Sequence, residues 1–151
     1  MTGAPAISNE SPSPLDNDPR LQLIVDTLQD KKALDILLID LREVSDAADT
    51  FVICTGTSEP HVRALSNDVV DALREAGHKP WHVEGRESLR WVLVDLVDVV
   101  IHIFRQEARD FYALERLWGD ADKHTIENGA DADPSAYDFT PASTSSVVDD
   151  G

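Results

Sequence analysis

Residues 91–104 read Trp91-Val-Leu-Val-Asp95-Leu-Val-Asp98-Val-Val-Ile-His-Ile-Phe104, two β-rich runs with almost nothing between them. Runs this close must fold back as a hairpin. Side chains alternate between the two faces of a strand. Val92, Val94 and Leu96 therefore share a face with one another, as do Val99, Ile101 and Ile103. That aliphatic face is expected to meet helices. The opposite face carries Trp91, Leu93 and Asp95 from the first run, and Asp98, Val100, His102 and Phe104 from the second. A mixed aromatic and polar surface of this kind is typical of a partner site, and it is expected to be partly open.

Working outward, Phe51-Val-Ile-Cys54 is a short apolar run that turns through Thr55-Gly-Thr-Ser58 into a helix. Ser58 suits the N-cap, Glu59 and Pro60 the first turn, and Gly77 the C-cap. Val62, Leu65, Val69, Ala72 and Leu73 mark its buried stripe. Ile36-Leu-Leu-Ile39 reads as a strand covered on both faces, and 81–83 as a short strand. Asp18 followed by Pro19 opens a helix over 19–32, with Leu21, Ile24, Val25 and Leu28 at helical spacing. A last helix over 107–118 places Phe111, Leu114 and Leu117 on one side and stops at Gly119. The order α-β-β-α-β-β-β-α is an α/β domain, a mixed sheet of about five strands with helices mainly on one face.

The chain has 151 residues and a formal net charge of -16. Residues 1–19 hold three acids and no base, and residues from 120 onward hold eight acids and one base. Prolines and few large apolar residues mark both ends as disordered acidic tails, 1–18 and 121–151, around a domain over 19–120. The body, 20–119, carries 12 bases and 18 acids. This balance excludes a phosphate-driven grip on nucleic acid and an anionic membrane surface. No basic-then-apolar leader opens the chain, and no apolar run approaches the ~18 residues of a membrane span. The single Cys54 excludes an intrachain disulfide. A cytoplasmic protein is expected.

Catalytic signatures are missing. The glycines of the body (Gly56, Gly77, Gly85, Gly119) never fall two within four residues, so neither a dinucleotide fingerprint nor a P-loop exists. Cys54 lies in an apolar strand and reads as a buried thiol. His78, His82, Glu84, Asp95 and His102 match no metal-ligand spacing, and no cofactor is expected. The Gly56-Thr-Ser58 junction reads as a capped helix before it reads as an anion site. A metal-dependent nucleotidyltransferase would have to use Asp95, Asp98 and Glu84, while an acidic adaptor for some other basic protein needs no such group.

Seven segments together carry a family resemblance: Asp35-Ile-Leu-Leu-Ile-Asp40, Thr50-Phe-Val-Ile-Cys-Thr-Gly-Thr-Ser58, His61-Val-Arg-Ala64, Val83-Glu-Gly85, Arg90-Trp-Val-Leu-Val-Asp95, Asp98-Val-Val-Ile-His-Ile-Phe104 and Phe111-Tyr-Ala-Leu-Glu-Arg-Leu-Trp-Gly-Asp120. In order and spacing the body resembles the ribosomal silencing factor (Iojap-like) family. The resemblance implies a fold related to nucleotidyltransferases without their catalysis. It further implies binding to the large-subunit ribosomal protein numbered fourteen, a block on subunit joining, and repression of translation when nutrients are short. Free family members tend to self-associate, so a homodimer is implied too. Carried over by position, the family's contact surface falls on Trp91, Asp95, His102 and Phe104, with Glu84 and Arg90 at the edge. Trp118 reads as a residue packed at a helix end. One position departs from the family. Val97 stands in the hairpin turn, where members often have Gly or a polar residue, and a β-branched residue tolerates positive φ poorly. The turn type is open at this point.

Overall fold

Asp18 and Ser58 start the two long helices by the same chemistry. In the structure, a computed structural model that describes residue 15 and residues 18–127, the Asp18 carboxylate accepts the Arg20 backbone N–H at 2.9 Å and opens α1 (Pro19–Asp30). The Ser58 hydroxyl accepts the His61 N–H at 3.2 Å and opens α2 (Glu59–Glu75). α2 closes with the bonds His78 N–H to Leu73 C=O and Gly77 N–H to Arg74 C=O, with Gly77 at φ 87°. This is the paired closure that a left-handed residue after the helix permits. α1 closes the same way, but its left-handed residue is Lys32, φ 66°.

Six strands follow the chain as β1 (Leu34–Asp40), β2 (Thr50–Gly56), β3 (His82–Glu84), β4 (Trp91–Asp95), β5 (Val99–Arg105) and β6 (Asp122–Ile126). They lie in the order β3-β4-β5-β2-β1-β6. The central β2–β5 pair is parallel, and every other pair is antiparallel. α1 and α2 cover one face. There Leu21, Ile24, Leu28, Val62, Leu65 and Val69 pack with Ile36, Leu38, Val52 and Cys54. Val92, Val94, Leu96, Val99, Ile101 and Ile103 join this core, as the alternation of the hairpin requires. Each such side chain, fully buried, contributes on the order of 1.5–3 kcal/mol.

The other face holds a second core of Ile39, Leu41, Ala48, Ile53, Phe104 and Ala108. Its cover is short. α3 (Gln106–Tyr112) and α4 (Leu114–Leu117) replace the single helix expected over 107–118. Ala113 breaks it, taking the left-handed conformation at φ 50° while its N–H still bonds Arg109 C=O. The break turns Phe111 and Leu117 outward, 78% and 70% exposed, so of the three residues expected on one side of a single helix only Leu114 is half-buried.

Two further expectations change. Six strands stand where about five were expected, and the sixth lies inside the segment read as tail, so the ordered domain runs past residue 120 to Ile126. β6 is Asp122-Lys-His-Thr-Ile, a polar edge strand held by pairing to β1 and by Gln29 reaching Glu127 C=O at 2.7 Å. Its composition suits an exposed edge and hides the strand from hydrophobic patterning. Leu15, in the expected N-terminal tail, packs partly against the first core. The remaining tail residues, 1–14, 16–17 and 128–151, lie outside the described residues.

The turn left open resolves as a two-residue loop. Val97 sits at φ 76°, Leu96 N–H bonds Val99 C=O at 2.8 Å, and Asp98 N–H bonds Leu96 C=O at 3.0 Å. An i to i+2 bond closed across a residue with this positive φ is the γ-turn geometry, rare and strained for a residue with a side chain. The Asp95 carboxylate accepts Val97 N–H at 2.7 Å and helps to hold the turn.

Candidate partner-docking face

Trp91 opens β4 and Phe104 lies opposite it on β5, while His102 lies opposite Leu93. All three project from the second face of the sheet. The Trp91 indole stacks on Phe104 with centroids 5.0 Å apart and donates its N–H to His102 Nδ1 at 3.1 Å. Phe51 meets the His102 ring edge-on at 4.5 Å. Tyr112, at the end of α3, lies 4.5 Å from Trp91, and Phe111 follows at 5.0 Å from Tyr112. Phe111, Tyr112 and Trp91 thus form a continuous aromatic ridge that reaches solvent over a buried base.

The structure divides the residues expected to touch a partner. Phe104 is 0% exposed and His102 3%, so both lie beneath the surface rather than on it. Tyr112 and Trp91 account for the difference: the sequence offers an open face, and α3 roofs part of it with Tyr112. Trp91 is half-buried and still presents an edge. Asp95 is half-buried, one oxygen on Val97 N–H and the other 3.9 Å from His82 Nδ1. Glu84 is exposed and meets His82 Nε2 at 2.7 Å. Arg90 is exposed, and its carbonyl accepts Arg105 N–H at 2.9 Å.

The apolar surface of α3 and α4 escapes the sequence reading. Phe111, Tyr112 and Leu117 are the large exposed hydrophobics beside Trp91 and on the two short helices. Nothing in the local sequence announces the left-handed Ala113 that turns them out. Trp81, 70% exposed beside the Asp95 end of β4 and edge-on to His82 at 4.4 Å, is a separate exposed aromatic. Trp118 packs against the second core, 6.1 Å from Phe51, as its place at a helix end suggests.

Arg109 fixes the roof. Its guanidinium is buried and donates to Asp35 C=O and Thr55 Oγ1, each at 2.8 Å, and to Glu115 at 3.1 Å. One side chain therefore joins α3, the left-handed bulge of β1 at Asp35 (φ 52°) and the central strand β2.

Two titratable groups of the core are shifted by burial. Burial pushes the His102 imidazole down to about 3, so it is neutral near neutral pH. Because Nδ1 accepts from Trp91, the proton belongs on Nε2. That Nε2 and the Trp118 indole nitrogen are buried with no hydrogen-bond partner among the described residues. Burial pushes the Cys54 thiol up to about 12, which leaves it without thiolate character. Among the described residues no group of three or more His, Cys, Asp or Glu could hold a metal ion. The carboxylates a nucleotidyltransferase would need are engaged elsewhere: Asp98 pairs with Arg20, Asp95 holds the turn and Glu84 meets His82. No helix among the described residues is long and apolar enough to cross a membrane.

Comparison with known proteins agrees with this geometry. The model of the family described as "Ribosomal silencing factor during starvation" matches residues 14–149. A ribosomal silencing factor of Halalkalibacterium halodurans is 41% identical over 113 residues, which is 75% of this chain and 97% of that protein. A crystal structure of a Chromobacterium violaceum protein superposes with a TM-score of 0.66 at 35% identity, covering 76% of this chain and 95% of the other. A more distant relative, the mouse "Mitochondrial assembly of ribosomal large subunit protein 1", is 32% identical over 101 residues, 44% of its length. With nearly the whole chain inside the family model and relatives matched almost end to end, the chain belongs to the ribosomal silencing factor family.

Proposed function

We propose that this protein is a non-enzymatic repressor of translation that docks on the large ribosomal subunit and keeps the small subunit from joining. The observation that supports this reading is the aromatic ridge Phe111–Tyr112–Trp91, exposed over a rigid buried base. Exposed aromatics over a well-packed floor are the usual anchors of a protein interface. The body of the chain, 20–119, carries 18 acids against 12 bases, and this excess favours a basic partner and speeds encounter with it. Ribosomal proteins are generally basic, and the resemblance points to the large-subunit protein numbered fourteen. The printed name of the mouse relative, which speaks of large-subunit assembly, is consistent with a large-subunit partner. The net charge of -16 makes protein rather than RNA the surface gripped. The work is done where ribosomes assemble, in the cytoplasm. The same ridge suits self-association of the free chain, in competition with docking.

Sedimentation of purified subunits tests the proposal. The protein is expected to pellet with large subunits, not with small ones, and to lower the joined fraction. Absence of co-sedimentation sinks the ribosomal reading. Capture of an unrelated basic protein with indifference to subunits supports an adaptor instead.

A further inference from the structure

His102 is an anomaly on its own strand. Its neighbours in the sheet, Leu93 and Ile53, are aliphatic, and the rings around it are Phe51, Trp91 and Phe104. An imidazole there buries an N–H at Nε2 with no partner among the described residues. A buried donor of this kind carries a desolvation cost that a leucine or phenylalanine at the site would not incur. What the imidazole provides is the acceptor at Nδ1, 3.1 Å from the Trp91 indole N–H.

The consequence lies in Trp91. An indole lying on Phe104 through dispersion alone can slide and flip, since stacking is broad in offset and angle. One directional hydrogen bond removes that freedom. It sets which edge of the ring faces inward toward His102 and which is left beside Tyr112 at the surface. Rigid, pre-oriented aromatics lose less entropy on binding, and affinity gains accordingly.

We propose that His102 is a positioning residue of the docking face: as an Nε2–H tautomer it accepts from Trp91 and fixes the indole in the orientation that the partner meets. It does not itself touch the partner. The inference rests on the docking reading above and adds to it the residue that orders the anchor. The neutral state of the imidazole, secured by burial, keeps Nδ1 free to accept.

Three variants of the full chain test this: Trp91→Ala, His102→Leu and His102→Asn. Asparagine places an acceptor close to the position of Nδ1. Leucine removes it but fills the apolar space. Binding to purified large subunits and the ¹⁵N–¹H signal of the Trp91 indole are read together. We expect His102→Leu to keep its thermal midpoint within a few degrees of the parent, to lose solvent-exchange protection of the indole proton, and to bind subunits at least tenfold more weakly. His102→Asn is expected to restore both protection and most of the binding. A merely structural histidine would instead show loss of binding that tracks loss of fold, with no rescue by asparagine. Full binding by His102→Leu together with weak binding by Trp91→Ala overturns the positioning role and leaves the docking face standing. Full binding by Trp91→Ala overturns both.

Discussion

Arg20 and Asp98, 78 residues apart in the chain, meet in a two-pronged ion pair, Nη1 to Oδ1 at 3.1 Å and Nη2 to Oδ2 at 2.8 Å. Arg20 also grips Asp18, so the start of α1 is clamped to the tip of the β4–β5 hairpin. The Asp98 carbonyl accepts Asp49 and Thr50 N–H as well, joining the hairpin to the start of β2. Bidentate geometry makes this pair stronger than the usual surface ion pair, although partial exposure screens it. Asp98→Asn is expected to cost about 1 kcal/mol at low salt and less in 0.5 M salt, read as a shift in the urea midpoint. A salt-independent effect would mean that the backbone bonds of Asp98, not its charge, carry the clamp.

Val97 holds a φ of 76° in the middle of a tight turn while 62% exposed. A β-branched residue in that region is strained by about 1–3 kcal/mol, and the exposed side chain has little packing to lose. Glycine carries more entropy in the unfolded chain, which offsets part of the relief. Val97→Gly should therefore stabilise the protein by about 1 kcal/mol in urea unfolding. Destabilisation would mean that the valine side chain supports the turn.

Removal of the Arg109 guanidinium takes a donor from the Thr55 hydroxyl and the Asp35 carbonyl and loosens α3 from the sheet. Arg109→Met, which keeps much of the apolar stem, should lower stability by about 2–4 kcal/mol and open the α3–α4 segment to protease before the rest of the domain. Uniform cleavage at global unfolding alone would show that α3 is held by its apolar contacts.

Acid should weaken the fold before any carboxylate titrates. His102 and His61 both sit below the ordinary value of 6.5, His102 from burial and His61 from burial opposed by its bond to the Lys31 carbonyl. The folded state refuses a proton that the unfolded chain accepts below about pH 6.5. Stability is thus complete above that pH and falls as pH drops toward the folded values, about 3 for His102. The loss between pH 6.5 and 4.5 should reach about 2 kcal/mol, and His102→Leu should remove a large part of it. Asp18 and Asp98, held low by Arg20, add a further loss only below about pH 4. A flat stability profile from pH 7 to 4.5 would contradict the burial of His102 and the partial burial of His61.

The first core was legible because aliphatic residues repeat at the strand period in 92–103 and at the helical period in Leu21 to Leu28 and Val62 to Leu73. The second face was legible only in its membership. Alternation puts Trp91, His102 and Phe104 on one side but says nothing of what roofs them, because α3 arrives through tertiary packing anchored by Arg109. Ala113 has no residue-type signature for a left-handed break, so Phe111, Leu114 and Leu117 read as one side of a single helix, whereas Phe111 and Leu117 are surface. β6 is too polar to register as a strand, since its stability comes from backbone pairing with β1.

Docking through the Trp91–Tyr112 ridge, with steric exclusion of the small subunit, is read most directly from the joined fraction in a light-scattering titration of purified subunits. Parent protein, present in modest excess over large subunits, should lower that fraction in a saturable manner. The double variant Trp91→Ala, Tyr112→Ala, with its circular dichroism unchanged, should leave the fraction at its protein-free value. If the folded double variant blocks joining as well as the parent does, the face described here is not the one that meets the ribosome.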